Sequence, residues 1–207
     1  MRFPIPALLA LAACAPATSL PAPAEGGAAP TPQEVREQAD PIPIGLGSLH
    51  QDAISLSLRD GDLLIKVTPL DESVTRLAAP DTYERLRAAA DSRMDQARAE
   101  VYTGEPELML ISFFSYSPDV EYRPEDILVV QHGRQLRPVA LLPVTSGFGR
   151  SRLQQREIQN AVYVFDVQID YSQPMVVRYG HMDTNDWINI VPVLDRERAR
   201  VRARTGS

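Results

Sequence analysis

Histidine and oxygen-donor side chains crowd into residues 181–186, whose sequence is His-Met-Asp-Thr-Asn-Asp. Such groups bind metals, but zinc sites need three or four well-spaced ligands and calcium loops need a longer alternating run of oxygen donors. Asp, Asn and Thr also hydrogen-bond their own backbone in turns. The spacing therefore favours a turn between two strands, and we predict no metal and no other cofactor.

Two pairs of acidic residues, Asp119 with Glu121 and Glu125 with Asp126, are candidates for acid-base chemistry. Both pairs adjoin prolines, which favours a solvated turn. The chain has no Gly-x-Ser-x-Gly elbow, no His-Glu-x-x-His motif and no phosphate-binding glycine loop. The sequence therefore predicts a non-enzymatic protein, and an active site dispersed over distant residues is the alternative.

Residues 146–152 combine two glycines with an aromatic ring and two arginines, and a third arginine follows shortly after. Guanidinium groups bind phosphates and carboxylates, and they also stack on aromatic faces. Because binding residues are often found on loops of a rigid scaffold, this segment is the candidate ligand site. An ordinary solvated loop is the alternative. The candidate residues are Phe148, Arg150, Arg152 and Arg156.

Arginine occupies every second position from Arg196 to Arg204. In a strand, all five would lie on one face, where they could contact anionic lipid, lipopolysaccharide or an acidic partner. In a coil, they would form a solvated basic tail. We predict the tail, over residues 196–207.

The composition describes one globular domain with a net negative charge. The 207 residues include 44% hydrophobic and 23% charged residues, and the formal net charge is −6. One domain with tails fits this length. Binding to nucleic acid without sequence preference needs a basic surface that releases counterions, so nucleic acid is excluded as a general partner.

The single cysteine, Cys14, follows a short apolar segment. Arg2 precedes the apolar run 7–13, which is far shorter than the roughly 20 residues that span a bilayer. These features predict a signal peptide over residues 1–13 rather than a transmembrane helix. A lone cysteine also excludes an internal disulfide.

The residues Leu11-Ala12-Ala13-Cys14 resemble the lipobox of bacterial lipoproteins. The resemblance implies cleavage before Cys14, acylation of its thiol and amine with chains such as palmitate, and anchoring to a membrane of the cell envelope. In the enterobacterial pattern, an alanine such as Ala15 after the cysteine favours the outer membrane. Residues 14–48 are rich in proline and alanine, which predicts an extended tether.

The folded domain is predicted over residues 49–195. Alternating apolar residues around an Asp60-Gly61 turn indicate a hairpin, and later segments of period two bring the number of strands to about eight, the last of them at 187–194. One amphipathic helix is predicted near 81–101, with Asp81 as its cap. This pattern predicts a mainly β fold, an antiparallel β-sandwich with one inserted helix.

The second half of the chain resembles the immunoglobulin-like β-sandwich domains of envelope lipoproteins of unassigned function. Such domains bring no catalytic residues with them. The residues that carry the likeness are the corner Arg123-Pro124-Glu125-Asp126, the hairpin glycine Gly133 and the pair Phe165-Asp166.

These observations predict an envelope lipoprotein, anchored through Cys14, whose β-sandwich binds or supports another envelope component. The expected partners are the membrane, an envelope protein, or an anionic glycan or lipid. Two alternatives stay open. One is an envelope hydrolase or transferase with a dispersed active site, and the other is an assembly factor that pairs a sheet edge with an extended client strand.

Overall fold

The computed structural model describes residues 42–206, so the predicted signal peptide, Cys14 and most of the predicted tether lie outside the described residues. Within 42–206, eleven strands and three α-helices follow one another. The strands are β1 (Leu56–Asp60), β2 (Leu63–Pro69), β3 (Glu107–Ser115), β4 (Val120–Glu121), β5 (Ile127–Gln131), β6 (Arg134–Leu136), β7 (Ala140–Pro143), β8 (Arg152–Leu153), β9 (Ile158–Phe165), β10 (Val176–Tyr179) and β11 (Met182–Thr184). The helices are α1 (Glu72–Thr75), α2 (Pro80–Glu100) and α3 (Trp187–Thr205), with 3-10 turns at Gln51–Ile54 and Pro124–Asp126.

The larger sheet has five strands in the order β1-β2-β3-β9-β7, and its neighbouring strands pair antiparallel. Residues directly opposite one another in such pairs share a face. On one face, Ile65, Phe113 and Tyr163 are fully buried. On the other face, Val162 and Val164 are also buried. The middle of this sheet is therefore covered on both sides.

The smaller sheet has the order β11-β10-β5-β6 and packs against one face of the larger sheet. The rings of Phe113 and Tyr179, from the two sheets, lie 6.2 Å apart. The Tyr163 hydroxyl donates a hydrogen bond of 2.7 Å to the carbonyl of Pro124, just before β5. Buried side chains of both sheets form one core. The prediction of a mainly β, antiparallel sandwich is thus confirmed, with more strands than the eight expected.

Two hairpin turns lie where the sequence places them. β1 and β2 meet at Asp60 and Leu63, and Gly61 between them has a φ of 56°. β5 and β6 are joined by His132 and Gly133, both with positive φ, as a two-residue type I′ turn requires. The period-two pattern also predicts one continuous strand over residues 136–144, and the structure divides this segment between two strands. Pro138 has no N–H to continue the ladder, and the chain passes from β6 to β7 in the other sheet.

The predicted helix near 81–101 is α2, which packs on β7, β9 and β3. Its buried residues include Tyr83, Leu86, Ala90 and Ala97, as the periodicity predicts. The predicted cap is wrong. The N-cap is Ala79 with no side-chain hydrogen bond, because Pro80 occupies the first helical turn, where a missing N–H has no cost.

The C-terminal segment departs most from prediction, because residues 187–194 and 196–205 form one helix, α3, instead of a strand and a tail. Trp187, Leu194 and Val201 are buried at helical spacing, which gives the helix a packed face. The predicted strand over 187–194 and the predicted solvated tail from residue 196 are therefore both wrong.

The domain also begins earlier than residue 49. The side chain of Ile42 is 8% exposed, and its carbonyl accepts a 3.2 Å hydrogen bond from Arg76. At Gly47, an added Cβ would lie 2.3 Å from the backbone carbon of Leu77, so only glycine allows this close approach. Residues 42–48 therefore belong to the packed domain and not to the tether. None of the helices in the described residues is long and apolar enough to cross a membrane.

Candidate functional site

A shallow cleft of about 270 Å³ opens at one end of the sandwich. Its lining contains three carboxylates, one imidazole, one guanidinium and two phenols. The lining residues are Asp60, Glu121, Tyr122, Arg123, Asp126, Tyr179, Gly180 and His181.

Three separate segments of the chain supply the polar groups of this cleft. Asp60 ends β1 at the first hairpin turn. Glu121 lies on the short strand β4, and Asp126 ends the 3-10 turn that precedes β5. His181 occupies the two-residue connection between β10 and β11. Because antiparallel strands bring alternate connections to the same end of a sheet, residues far apart in the sequence meet there.

Tyr122 and Tyr179 form a buried floor under these groups. The backbone N–H of Arg123 donates to the Tyr179 hydroxyl at 2.9 Å, and that of Gly149 donates to the Tyr122 hydroxyl at 3.2 Å. Burial raises the pKa of both phenols above the ordinary value. Both therefore stay protonated at neutral pH and act as fixed, neutral hydrogen-bonding groups.

Most of the polar groups at the cleft rim interact little with other side chains of the described residues. The side chains of Asp60, Asp126, Arg123 and His181 make no hydrogen bond or ion pair there, and Glu121 makes none but lies within electrostatic range of the Arg152 guanidinium on β8. At neutral pH the three carboxylates outnumber the single guanidinium, so the cleft is an anionic surface that attracts cations and hydrogen-bond donors. Among residues 42–206, no group of three or more His, Cys, Asp or Glu side chains is arranged to hold a metal ion.

The predicted ligand loop lies at the same end of the sandwich. Glu121 on β4 pairs with Arg152 on β8, so the ribbon β4-β8 joins the cleft to this loop. Arg150, Arg152 and Arg156 are all exposed. Arg152 forms an ion pair of 2.6 Å with Asp119, which holds its guanidinium over the ribbon.

The ring of Phe148 packs against other aromatic rings and is not presented to a ligand. Its ring centroid is 6.3 Å from that of Tyr122 and 6.3 Å from that of Phe113. The side chain is half-buried and packs on the hydrophobic core. Packing explains the position of Phe148. The exposed groups of the loop that could bind a ligand are therefore its arginines.

The loop is held in a conformation that non-glycine residues rarely adopt. Ser151 and Arg156 in the loop have φ values of 63° and 60°, and Asp119, the ion-pair partner of Arg152, has a φ of 60°, all in the left-handed region. The Arg156 N–H donates to the carbonyl of Ser115 at 2.9 Å, and the Tyr122 N–H donates to that of Ser151 at 3.0 Å. These bonds to the ends of the strands fix the backbone of the loop against the cost of that conformation.

Residues 181–186 are the strongest metal candidate in the sequence. In the structure they extend over the turn between β10 and β11, the strand β11 and the residues before α3. His181 lies in the turn, and Asp183 on β11 faces Arg178 at 3.8 Å. The Asp186 N–H donates to the Thr184 hydroxyl at 3.3 Å. Only His181 reaches the cleft. The sequence carried no signal that would join this histidine to Asp60, Glu121 and Asp126.

The structure limits how far the sheet edge at β7 could pair with an extended client strand. The edge strand β7 has no charged residue, but it is only four residues long. It begins shortly after Pro138 and ends at Pro143. The Arg93 guanidinium already donates to the carbonyl of Pro143 at 2.7 and 3.0 Å. Proline and short length both limit pairing with another strand.

No protein-family model matches the chain, and no curated protein matches it. Among solved structures, the chain is similar to the secreted protein MPT63 from Mycobacterium tuberculosis, with 11% sequence identity and a TM-score of 0.32. The match covers 62% of this chain and 87% of that one. At this TM-score the likeness shows neither a shared family nor a shared function.

Proposed function

We propose that this protein is an envelope lipoprotein, anchored through Cys14, whose β-sandwich binds a basic segment of another envelope component in the anionic cleft. The binding is non-catalytic in this proposal. The lipobox resemblance of residues 11–14 supports the anchor, and the composition of the cleft supports the cationic character of the ligand.

One observation carries the binding proposal, namely that the carboxylates of the cleft are not used by the fold. Elsewhere in the domain, acidic residues stabilise their own turns: the Asp71 carboxylate accepts from the Ser73 N–H at 2.8 Å, and the Asp170 carboxylate accepts from the Ser172 N–H at 3.0 Å. Asp60, Glu121 and Asp126 make no such bond in the described residues. Unpaired polar groups that converge in a concave surface are typical of binding sites.

The position of the cleft suits a tethered binding domain. β1 starts next to the 3-10 turn Gln51–Ile54, which lies against α3 where the chain enters the domain, and β1 ends at Asp60 in the cleft. The cleft and the entry point of the chain thus lie at opposite ends of the β1-β2 hairpin. A domain anchored through its N-terminal segment would present the cleft away from the membrane.

The binding proposal is tested with fluorescently labelled hexalysine as a probe of cationic ligands. The triple variant Asp60→Asn, Glu121→Gln, Asp126→Asn should bind the probe about tenfold more weakly, because exposed ion pairs contribute about 0.2 to 1 kcal/mol each. The measurement is fluorescence anisotropy at low and high salt. A labelled hexaglutamate peptide should not bind at the cleft.

The matched control removes three carboxylates from the exposed face of α2, as Glu84→Gln, Asp91→Asn and Asp95→Asn. It makes the same change in net charge and should change the affinity for hexalysine by less than about twofold. Equal weakening in the two triple variants would show that hexalysine responds to net charge and not to the cleft, and the proposal would fail.

The anchor is tested by labelling growing cells with radioactive palmitate. The wild-type chain should carry the label and sediment with the envelope, because stable anchoring takes more than one acyl chain. The Cys14→Ser variant should carry none and remain in the soluble fraction. Label of equal intensity on the serine variant would contradict acylation at Cys14.

A hydrolase is the second candidate, favoured by the presence of His181 in the same cleft as Asp126. An imidazole and a carboxylate can together activate water. The lining residues include no serine, threonine or cysteine nucleophile, so the chemistry would require water as the attacking group. His181→Asn should leave the affinity for hexalysine unchanged, whereas a hydrolytic activity found in envelope extracts would be lost in that variant.

A further inference from the structure

The second half of α3 carries five arginines, two of which form ion pairs within the helix. Arg198 pairs with Asp195 at 2.6 Å and Arg200 pairs with Glu197 at 2.5 Å. Arg196, Arg202 and Arg204 are exposed and have no carboxylate partner within the described part of the chain. The Arg196 Nε–H donates to the carbonyl of Pro192 at 3.2 Å, which leaves its terminal nitrogens and the guanidinium groups of Arg202 and Arg204 available to an external anion.

Two of these arginines, Arg196 and Arg202, border a line of small exposed residues on the outer face of the helix, whereas Arg204 lies further round the helix near its exposed C-terminal end. Ala199 and Ala203 are one turn apart and both exposed. At 100° per residue, Arg196 and Arg202 lie about 60° to either side of Ala199. Arginine side chains of this length bend toward charged groups while their stems cover apolar surface. A helix with this pattern can lie flat on a surface of phosphate groups.

The same part of α3 binds the segment through which the chain enters the domain. The Ser48 N–H donates to the buried Glu197 carboxylate at 2.8 Å, and the Ser48 hydroxyl donates to it at 3.1 Å. Arg200 also donates to the Ser48 hydroxyl. The residues leading back to Cys14 therefore join the domain directly beside the arginines.

The second half of α3 is basic although the chain as a whole is acidic. The chain has a net charge of −6, whereas residues 195–205 contain five arginines and only two acidic side chains. Near a negatively charged surface, this local excess of positive charge attracts α3.

From these observations we infer that the outer face of α3 docks on the anionic phospholipid surface of the membrane that holds the anchor. The inference rests on the proposed anchoring at Cys14, because the tether keeps the helix at a high local concentration near the bilayer. Docking orients the domain, with α3 toward the lipid headgroups and the cleft toward its partner. Each arginine that reaches the surface strengthens binding severalfold.

The test uses the full chain with Cys14→Ser, so that no acyl chain contributes to membrane binding. Its result therefore depends on α3 and not on whether Cys14 is acylated in cells. Its co-flotation is measured with vesicles of phosphatidylcholine alone and with vesicles containing phosphatidylglycerol. We expect preferential binding to the anionic vesicles that falls as salt rises. The apolar segment 7–13 contributes equally in both vesicle types, so the difference between them reports on charge.

Adding Arg196→Gln, Arg202→Gln and Arg204→Gln should reduce the preference for anionic vesicles at least tenfold. The matched control replaces Arg59, Arg98 and Arg137 by Gln, which removes three exposed arginines outside α3, and it should reduce the preference less than threefold. Circular dichroism checks that both variants remain folded.

Three results would overturn the inference. The first is equal loss in the two triple variants, which would show a response to net charge alone. The second is no preference for anionic vesicles in the parent chain. The third is a more than tenfold preference for lipopolysaccharide over phosphatidylglycerol, which would assign the arginines to a different source of phosphate. Palmitate labelling of wild-type cells is read separately, so loss of the anchor proposal leaves these results interpretable.

Discussion

The replacement of Val201 by Ala tests directly whether the arginine-rich segment is a packed helix or a solvated tail. Val201 has no exposed surface and lies one turn after the buried Glu197. In a tail, the loss of two methyl groups from an exposed side chain would leave the free energy of unfolding almost unchanged. In α3, it removes atoms from the face that packs on the domain.

The expected size of the effect follows from the burial of the side chain. Each buried methylene contributes about 0.8 kcal/mol, so removing two carbons costs about 1.6 kcal/mol before any cavity is counted. The cavity left beside rigid neighbours adds to this, which gives about 2 to 3 kcal/mol in total. For a domain of this size, the melting temperature should fall by about 4 to 12 °C.

Trp187, the only tryptophan, provides the assay, because it is fully buried in the first turn of α3. Its indole N–H donates to the carbonyl of Tyr171 at 3.1 Å, so its fluorescence changes when the helix detaches. Urea unfolding is followed by this fluorescence and by circular dichroism. The control is Ile188→Ala, a larger truncation of a side chain that is 53% exposed, which should cost less than 1 kcal/mol. If Val201→Ala destabilises no more than Ile188→Ala, the packed helix is refuted.

Two further predictions concern the cleft end of the domain. Phe148→Ala should lower the free energy of unfolding, measured in urea, by about 2 kcal/mol, because its ring packs on Tyr122. The control Tyr102→Ala, at a side chain that is 92% exposed, should change this free energy by less than about 0.5 kcal/mol. Similar values for the two variants would mean that Phe148 is not packed. The pKa of Tyr122 and of Tyr179 is raised mainly by burial, so the folded state resists ionisation that the unfolded chain undergoes near pH 10. The stability that this burial contributes is therefore fully present below about pH 10 and declines as the pH rises above it. The tyrosinate absorbance of these two residues should appear at a higher pH in the folded protein than in the urea-unfolded chain, and equal midpoints would contradict the buried floor.

The strands were predictable where apolar residues recur at every second position. In β9, Ala161, Tyr163 and Phe165 lie on one buried face, as the sequence pattern predicts, although Val162 and Val164 on the other face are buried as well. The strand β7 was not predictable, because its assignment to the larger sheet depends on pairing with β9 and not on its own residues. A local pattern specifies a strand, whereas the sheet that it joins is set by distant contacts.

The helix α3 escaped prediction because its buried face is interrupted by a charge. Between Leu194 and Val201, the position that would continue the apolar stripe is Glu197, which is 6% exposed. A buried carboxylate is stable only with partners, and its partner Ser48 lies 149 positions earlier in the chain. No window of the sequence around Glu197 contains that information. The sequence therefore predicted a strand over 187–194 and a solvated tail from residue 196, where the structure has one helix.

The cleft also could not be predicted from the local sequence. Asp60, Glu121, Asp126 and His181 each occur beside residues that form turns, so each was fully explained by its neighbours in the sequence. The structure weakens that explanation, because none of the three carboxylates bonds to its own turn in the described residues, while Asp71 and Asp170 do. Two separate segments, the β1-β2 hairpin and residues 116–126 between β3 and β5, would have to place unused carboxylates in one cleft by chance. A shared ligand of opposite charge accounts for all three positions at once, and the comparison of the two triple variants with hexalysine decides between these explanations.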